Sequence, residues 1–332
     1  METRGEVSKE VSEEPTGRKI YKVEGNNVQA TWRIFEPREV LNLQEASNSN
    51  KAVVFLPGWS ITQEAKSGKM LYQAFADNSQ SPTFVVDTRV EKIAPGFLAK
   101  NAEAVRQFIQ EKGLKDLTIV GNSLGGAEAI HLTVLLQQQN PDINIDGLVL
   151  LDSMSLYNQN WPGIAVNWAR DLASTLDDLR KPPKFKGDDG LVRQNIKYVL
   201  DGIEILKEVM RSRLVGWPKR QIYELRAMAK TSPHLAEIEV PIVLIQGAQD
   251  LLSKPSEIIP KSQSQDSVKD YIEDTKVQER EQFLKKNIFI NSPYVRMIVP
   301  EKMGHHNVSY SRPESVASVS LYFLKRWHRQ KA

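Results

Sequence analysis

Leu117–Ile130, LTIVGNSLGGAEAI, sets a short apolar and β-branched run ahead of a tight turn, with an Ala-rich run behind it. One serine, Ser123, sits in the turn. Gly121 and Gly125 lie two residues to either side of it, and Gly126 follows. Glycine and serine are both common, so a G-x-S-x-G pattern alone says little. The context gives it meaning, because the pattern closes a strand and opens a helix. A serine at such a corner adopts a strained backbone conformation. Side chains two residues before and after it would collide, so both positions must be small. Gly121 and Gly125 meet that need, and Gly126 lets the helix lie close to the sheet. The corner holds the Ser123 hydroxyl above the strand ends, where open α/β sheets bind ligands. The helix start supplies N–H groups and a positive dipole end suited to a developing oxyanion.

Working outward, the chain alternates strand-like and helix-like segments. Strands are expected within Gln29–Pro37, Lys51–Ser60, Pro82–Arg89, Ile145–Ser153, Val240–Asp250 and Tyr294–His306, besides the one that ends at the serine. Several are continuous apolar runs, which suggests a parallel sheet covered on both faces. Ala99–Gly113 has Ala102, Val105, Phe108 and Ile109 on one helical face, and Gly113 can close the helix. The run after the serine stops at Asn140-Pro141. Ser311 and Glu314 have capping-box spacing ahead of a C-terminal helix, with Pro313 early in it. The alternation predicts an α/β fold with a mostly parallel central sheet flanked by helices.

Two stretches break the alternation. Residues 154–235 carry no convincing strand and read as an inserted helical cap. Ile196, Val199, Leu200, Ile203, Leu206 and Met210 form one stripe there, accompanied by Trp161, Trp168 and Trp217. Residues 254–282 are polar and read as a second insertion. The expected organisation is a tail over 1–16, a core over 17–153 and 236–332, the cap over 154–235, and the polar insertion within the core. The tail is too polar to bury.

Composition excludes other classes. The 332 residues are 40% hydrophobic and 26% charged, with a net charge of +3. That balance needs no polyanionic partner, so no nucleic-acid binding is expected. With no cysteine, a thiol nucleophile, a disulfide framework and a Cys-type zinc site are all excluded. No run approaches a membrane span, and the charged N-terminus lacks the apolar region of a signal peptide, so a cytoplasmic location is expected. The chain has neither a dinucleotide G-x-G-x-x-G nor a phosphate loop, since Gly68-Lys69 lacks the spacing. No cofactor or metal is implied.

The element order and the GNSLGG turn resemble the α/β-hydrolase superfamily and its nucleophile elbow. The resemblance runs from about Lys51 to the C-terminus outside the two insertions. Asn122 departs from the histidine common at that position. A serine hydroxyl needs a base, and the family's chain order is nucleophile, acid, histidine. The resemblance therefore implies His305, after Gly304, as the base, with His306 as its competitor. It implies Asp250, after IVLIQGAQ, as the acid, with Asp152 at the end of the preceding strand as the alternative. An aspartate so placed would fix the imidazole tautomer. Asp87 reads as a turn residue. The backbone N–H groups of Leu124 and Trp59, the latter in the FLPGWS loop, are the implied oxyanion donors. His131 reads as a packed or surface residue, and His234 and His328 show no constellation.

The expected activity is a serine hydrolase acting on a carboxylic ester or related acyl compound through an acyl-enzyme. The cap's apolar stripe and three tryptophans suggest a small-molecule substrate with a small-to-medium, largely apolar acyl group. C–C bond hydrolysis, lactonase or thioesterase action use the same triad, and a non-catalytic ligand-binding protein is the reading from another class.

Overall fold

The computed structural model describes residues 16–38, 50–58, 66–160, 162–164, 166–167, 170, 217–247, 274–299 and 313–331. The described strands are β1 (Thr16–Val23), β2 (Asn26–Phe35), β3 (Lys51–Leu56), β4 (Thr83–Val90), β5 (Asp116–Asn122), β6 (Asn144–Leu151), β7 (Ile242–Ile245) and β8 (Val295–Ile298). The described helices are α1 (Lys66–Ser79), α2 (Phe97–Glu111), α3 (Leu124–Gln139), α4 (Trp217–Met228), α5 (Asp274–Asn287) and α6 (Pro313–Lys331).

The strands form one sheet in the order β1-β2-β4-β3-β5-β6-β7-β8. β2 pairs antiparallel with both β1 and β4, and every pairing from β4 to β8 is parallel. Parallel strands must be covered on both faces, and their sequences show it. Ala52, Val54 and Leu56 of β3 face one core cluster with α2 and α3, while Val53 and Phe55 face a second with α1 and α6. Leu117 and Ile119 divide from Val120 in β5 in the same way. Each fully buried Val, Leu, Ile or Phe contributes about 1.5–3 kcal/mol relative to exposure.

The helix read from Ala102, Val105, Phe108 and Ile109 is α2, and all four are fully buried. It ends as expected at Gly113, whose φ is 65°. Gly113 N–H donates to Gln110 O at 3.1 Å and Leu114 N–H to Ile109 O at 3.1 Å, the paired bonds of a Schellman stop. α6 begins at Pro313. Ser311 lies outside the described residues.

Three elements differ from the sequence reading. β1 was not anticipated, because only Tyr21 and Val23 of its eight residues are buried. It is an edge strand with too few apolar residues to give a signal. α1 was also not anticipated. α5 occupies the end of the stretch read as a polar insertion and continues beyond it to Asn287. Its polar surface hid it, although Leu284 and nearby Phe289 are fully buried. Asp87 is a strand residue of β4 rather than a turn residue, in an ion pair with Arg89 at 3.4 Å. Residues 1–15 and 248–273 lie outside the described residues. So do Trp161, Trp168 and the stripe from Ile196 to Met210, while Trp217 starts α4. Among the described residues no helix is long and apolar enough to cross a membrane.

Candidate active site

β3 has β4 on one side and β5 on the other, so the strand order reverses between β3 and β5. Open α/β sheets bind ligands beyond the carboxyl ends of strands at such a switch point. Two segments meet there: Leu56-Pro57-Gly58 at the end of β3, and Asn122-Ser123 at the end of β5.

Ser123 sits between β5 and α3 with φ 53° and ψ −118°. For a residue with a Cβ this is a costly conformation, of order 1–3 kcal/mol, and it persists only where the surroundings fix it. Here they do. Ser123 N–H donates to Leu151 O at 2.9 Å, and Ser123 O accepts from Gly126 N–H at 3.0 Å and Met154 N–H at 3.1 Å. Asn122 is buried, and its Nδ2 donates to Leu151 O at 3.2 Å, tying the corner to β6. The residue that departs from the common histidine thus cross-links two strand ends.

The three glycines are explained by close approach. A Cβ on Gly121 would lie 2.6 Å from Gly125 O and Gly126 Cα. One on Gly125 would overlap the carbonyl oxygen of Leu56, and one on Gly126 would overlap Ser153 Oγ. Gly58 also has a reason to be glycine, since a Cβ there would stand 3.0 Å from Ser123 Cβ and 2.8 Å from Asn122 Oδ1. The loop after β3 is therefore pressed against the serine. Ser123 and Leu124 are half-buried between the buried Asn122 and Gly125. As the first residue of α3, Leu124 has its N–H among those a helix leaves without an intrahelical partner.

Asp152 follows β6 and is fully buried, with φ 44°. Its N–H donates to Ile245 O at 2.8 Å, and its Oδ1 accepts from Gly247 N–H at 2.9 Å. The carboxylate is thereby anchored just beyond the end of β7. Asp250, His305, His306 and Trp59 lie outside the described residues.

Sequence reading missed two groupings on α3. His131 meets His234 edge to face, ring centroids 4.7 Å apart, and His234 Nδ1 lies 2.8 Å from Glu237 Oε1. His234 therefore does belong to a constellation. Burial, with a smaller effect from His234, holds the His131 imidazole down at about 4, against a raising effect of Glu237. Glu128 is buried and accepts from Thr88 Oγ1 at 2.6 Å and Asn101 Nδ2 at 3.4 Å. Burial pushes its carboxyl up to about 8, and Asp87 adds to this, while the bonds from Thr88 and Asn101 oppose it. A charged residue five positions after Ser123, within the Ala-rich start of the helix, was the available signal. His328 Nε2 lies 2.8 Å from Asp146 O. Among the described residues no group of three His, Asp or Glu side chains could hold a metal ion.

A sheet in this order, with a serine on a positive-φ corner at its switch point, defines an α/β hydrolase. Within that class the chain belongs to the serine aminopeptidase S33 family, matched by residues 97–277, more than half its length. Ethanol acetyltransferase 1 of Wickerhamomyces ciferrii is 26% identical over 184 residues, 53% of this chain and 44% of its own length. That match thus spans less than half of the relative. A thermophilic esterase from Thermogutta terrifontis superposes with a TM-score of 0.54 at 14% identity, covering 95% of this chain and 98% of its own. A bromoperoxidase from Bacillus anthracis gives 0.54 at 14% identity, with 93% and 100% covered. At these identities the structural likeness is one of fold.

Proposed function

We propose that the protein is a serine hydrolase that cleaves a carboxylic ester or related small-molecule, largely apolar acyl substrate through an acyl-enzyme. The observation that carries this reading is the strained Ser123 corner at the switch point of the sheet, with the loop after β3 pressed against it. Ser123 Oγ attacks the acyl carbon as His305 takes its proton. The N–H groups of Leu124 and Trp59 receive the oxyanion. His305 then protonates the leaving alcohol, and a water that it activates releases the acid. Asp250 orients the imidazole.

Asp152 is the competing acid, supported by its complete burial and its bond to Gly247. A second reading concerns the acceptor. The likeness to an ethanol acetyltransferase supports release of the acyl group to an alcohol in place of water. C–C bond, lactone and thioester cleavage use the same groups.

The test is labelling by a fluorophosphonate probe together with hydrolysis of p-nitrophenyl esters. Ser123→Ala should abolish labelling and lower kcat by about 10³-fold or more. His305→Ala should cost as much, with His306→Ala far milder. Of Asp250→Asn and Asp152→Asn, the true acid should lose about 10²–10⁴-fold in kcat. Adding ethanol to the assay separates the acceptors by the ratio of ester to acid product. A wild-type Ser123 that takes no label favours a ligand-binding protein.

A further inference from the structure

The acyl chain of a substrate attacked by Ser123 must leave the reacting carbon in some direction, and the described chain occupies the side of β3. Gly58 lies against Ser123 on the side of β3. Gly125 is packed onto the carbonyl oxygens of Leu56 and Pro57. An apolar neighbour lies beside Leu124, the residue after Ser123: Met154, Ile164, Leu225, Met228 and Ala229 form a buried cluster of their own, apart from the two sheet cores, and Leu124 packs against it.

This cluster is held at a fixed distance from the serine. Met154 N–H donates to Ser123 O at 3.1 Å. Ser155 Oγ donates to Ala227 O at 3.1 Å, Ser232 N–H to Ser155 O at 2.8 Å, and Gln159 N–H to Ala229 O at 2.7 Å. The segment after β6 and the end of α4 are thus stitched together. Leu225 and Met228 lie three residues apart on one face of α4, turned toward Met154. Two of the cluster's side chains are methionines, whose unbranched thioethers adapt their shape to what they pack against.

We propose that Met154, Leu225 and Met228 form the wall that bounds the acyl chain at Ser123 and sets the longest chain accepted, so that the substrates are esters of short, apolar acyl groups. The assignment rests on the hydrolase reading above. Trimming the wall should open it to longer chains. One methylene in an apolar pocket discriminates by about 10- to 200-fold in kcat/KM.

The full-length protein is assayed on p-nitrophenyl acetate, butyrate and octanoate, with fluorophosphonate labelling of Ser123 run in parallel on every variant. Met228→Ala should raise the octanoate-to-acetate ratio of kcat/KM by about tenfold or more, and Met154→Ala likewise. Met228→Phe should lower it. Met228→Val removes less volume, so it serves if the alanine variant does not fold, and should shift the ratio in the same direction by about threefold. Variants that label at Ser123 but keep the wild-type chain-length profile would overturn the proposal. A wild-type protein that does not label at Ser123 would instead overturn the hydrolase reading, and the proposal with it.

Discussion

Gly125 separates two backbones that leave no room for a methyl group. The atoms in the way are the carbonyl oxygens of Leu56 and Pro57, which cannot rotate aside. Gly125→Ala is therefore expected to cost about 1–3 kcal/mol and to move the corner. A drop in the urea midpoint together with weakened probe labelling would register it. Gly126 faces Ser153 instead, where the first obstacle is a side-chain hydroxyl. Gly126→Ala should be partly rescued by Ser153→Ala, a coupling that a double-mutant cycle in thermal melts measures. At this scale much of the site could be read from sequence. Gly121 was legible because its steric demand is local, met by Gly125 and Gly126 within five positions, whereas the contacts of Gly125 with Leu56 and Pro57 and of Gly126 with Ser153 are long-range. Asp152 was named as an alternative acid, but its bond to Gly247 joins residues far apart in the chain, and no spacing encodes that.

α3 carries the serine at its start and two oppositely titrating groups along its length. Glu128, pushed up to about 8 from an ordinary 4.5, is neutral in the folded protein over a range where the unfolded chain is ionised. Its contribution to stability is full below pH 4.5 and is lost as pH rises toward 8, at about 1 kcal/mol per unit. His131, held down at about 4 from 6.5, acts the other way, and its contribution is lost as pH falls from 6.5 toward 4. The two should largely offset each other between pH 4.5 and 6.5, leaving a net decline from 6.5 to 8. Glu128→Gln should remove that alkaline decline and uncover the acid limb due to His131. Denaturation midpoints measured from pH 4 to 9 would show it, and an unchanged alkaline slope in Glu128→Gln would refute the assignment. Neither group was legible as more than a polar residue on a helix. Their partners come from β4, α2 and the turn after α4, so only packing reveals the burial that shifts them. α2 was legible because its apolar spacing and its closing glycine agree. α5 was not, since a helix that rests one narrow side on β8 presents mostly charge.

Across the whole molecule, protection should follow depth in the sheet. β3, β5 and β6 are paired on both sides and covered on both faces, whereas β1 is an edge strand with Ile20 56% exposed. Amide hydrogen exchange should therefore be slowest in β5 and its neighbours and fastest, among the strands, in β1. Equal protection in β1 and β5 would contradict this layering. What the sequence by itself determined is local in origin. Continuous apolar runs named most of the parallel strands, helical periodicity named α2, and four small or strained residues named the corner at Ser123. The tertiary structure alone decided which strand ends become neighbours. It set β3 beside β5 so that Gly58 touches Ser123, buried Glu128 and His131, and brought Met154 and Met228 into one cluster. Periodicity reports only which face of an element is apolar, and many partners could satisfy that face. The choice among them is made by long-range packing, in which the whole chain takes part.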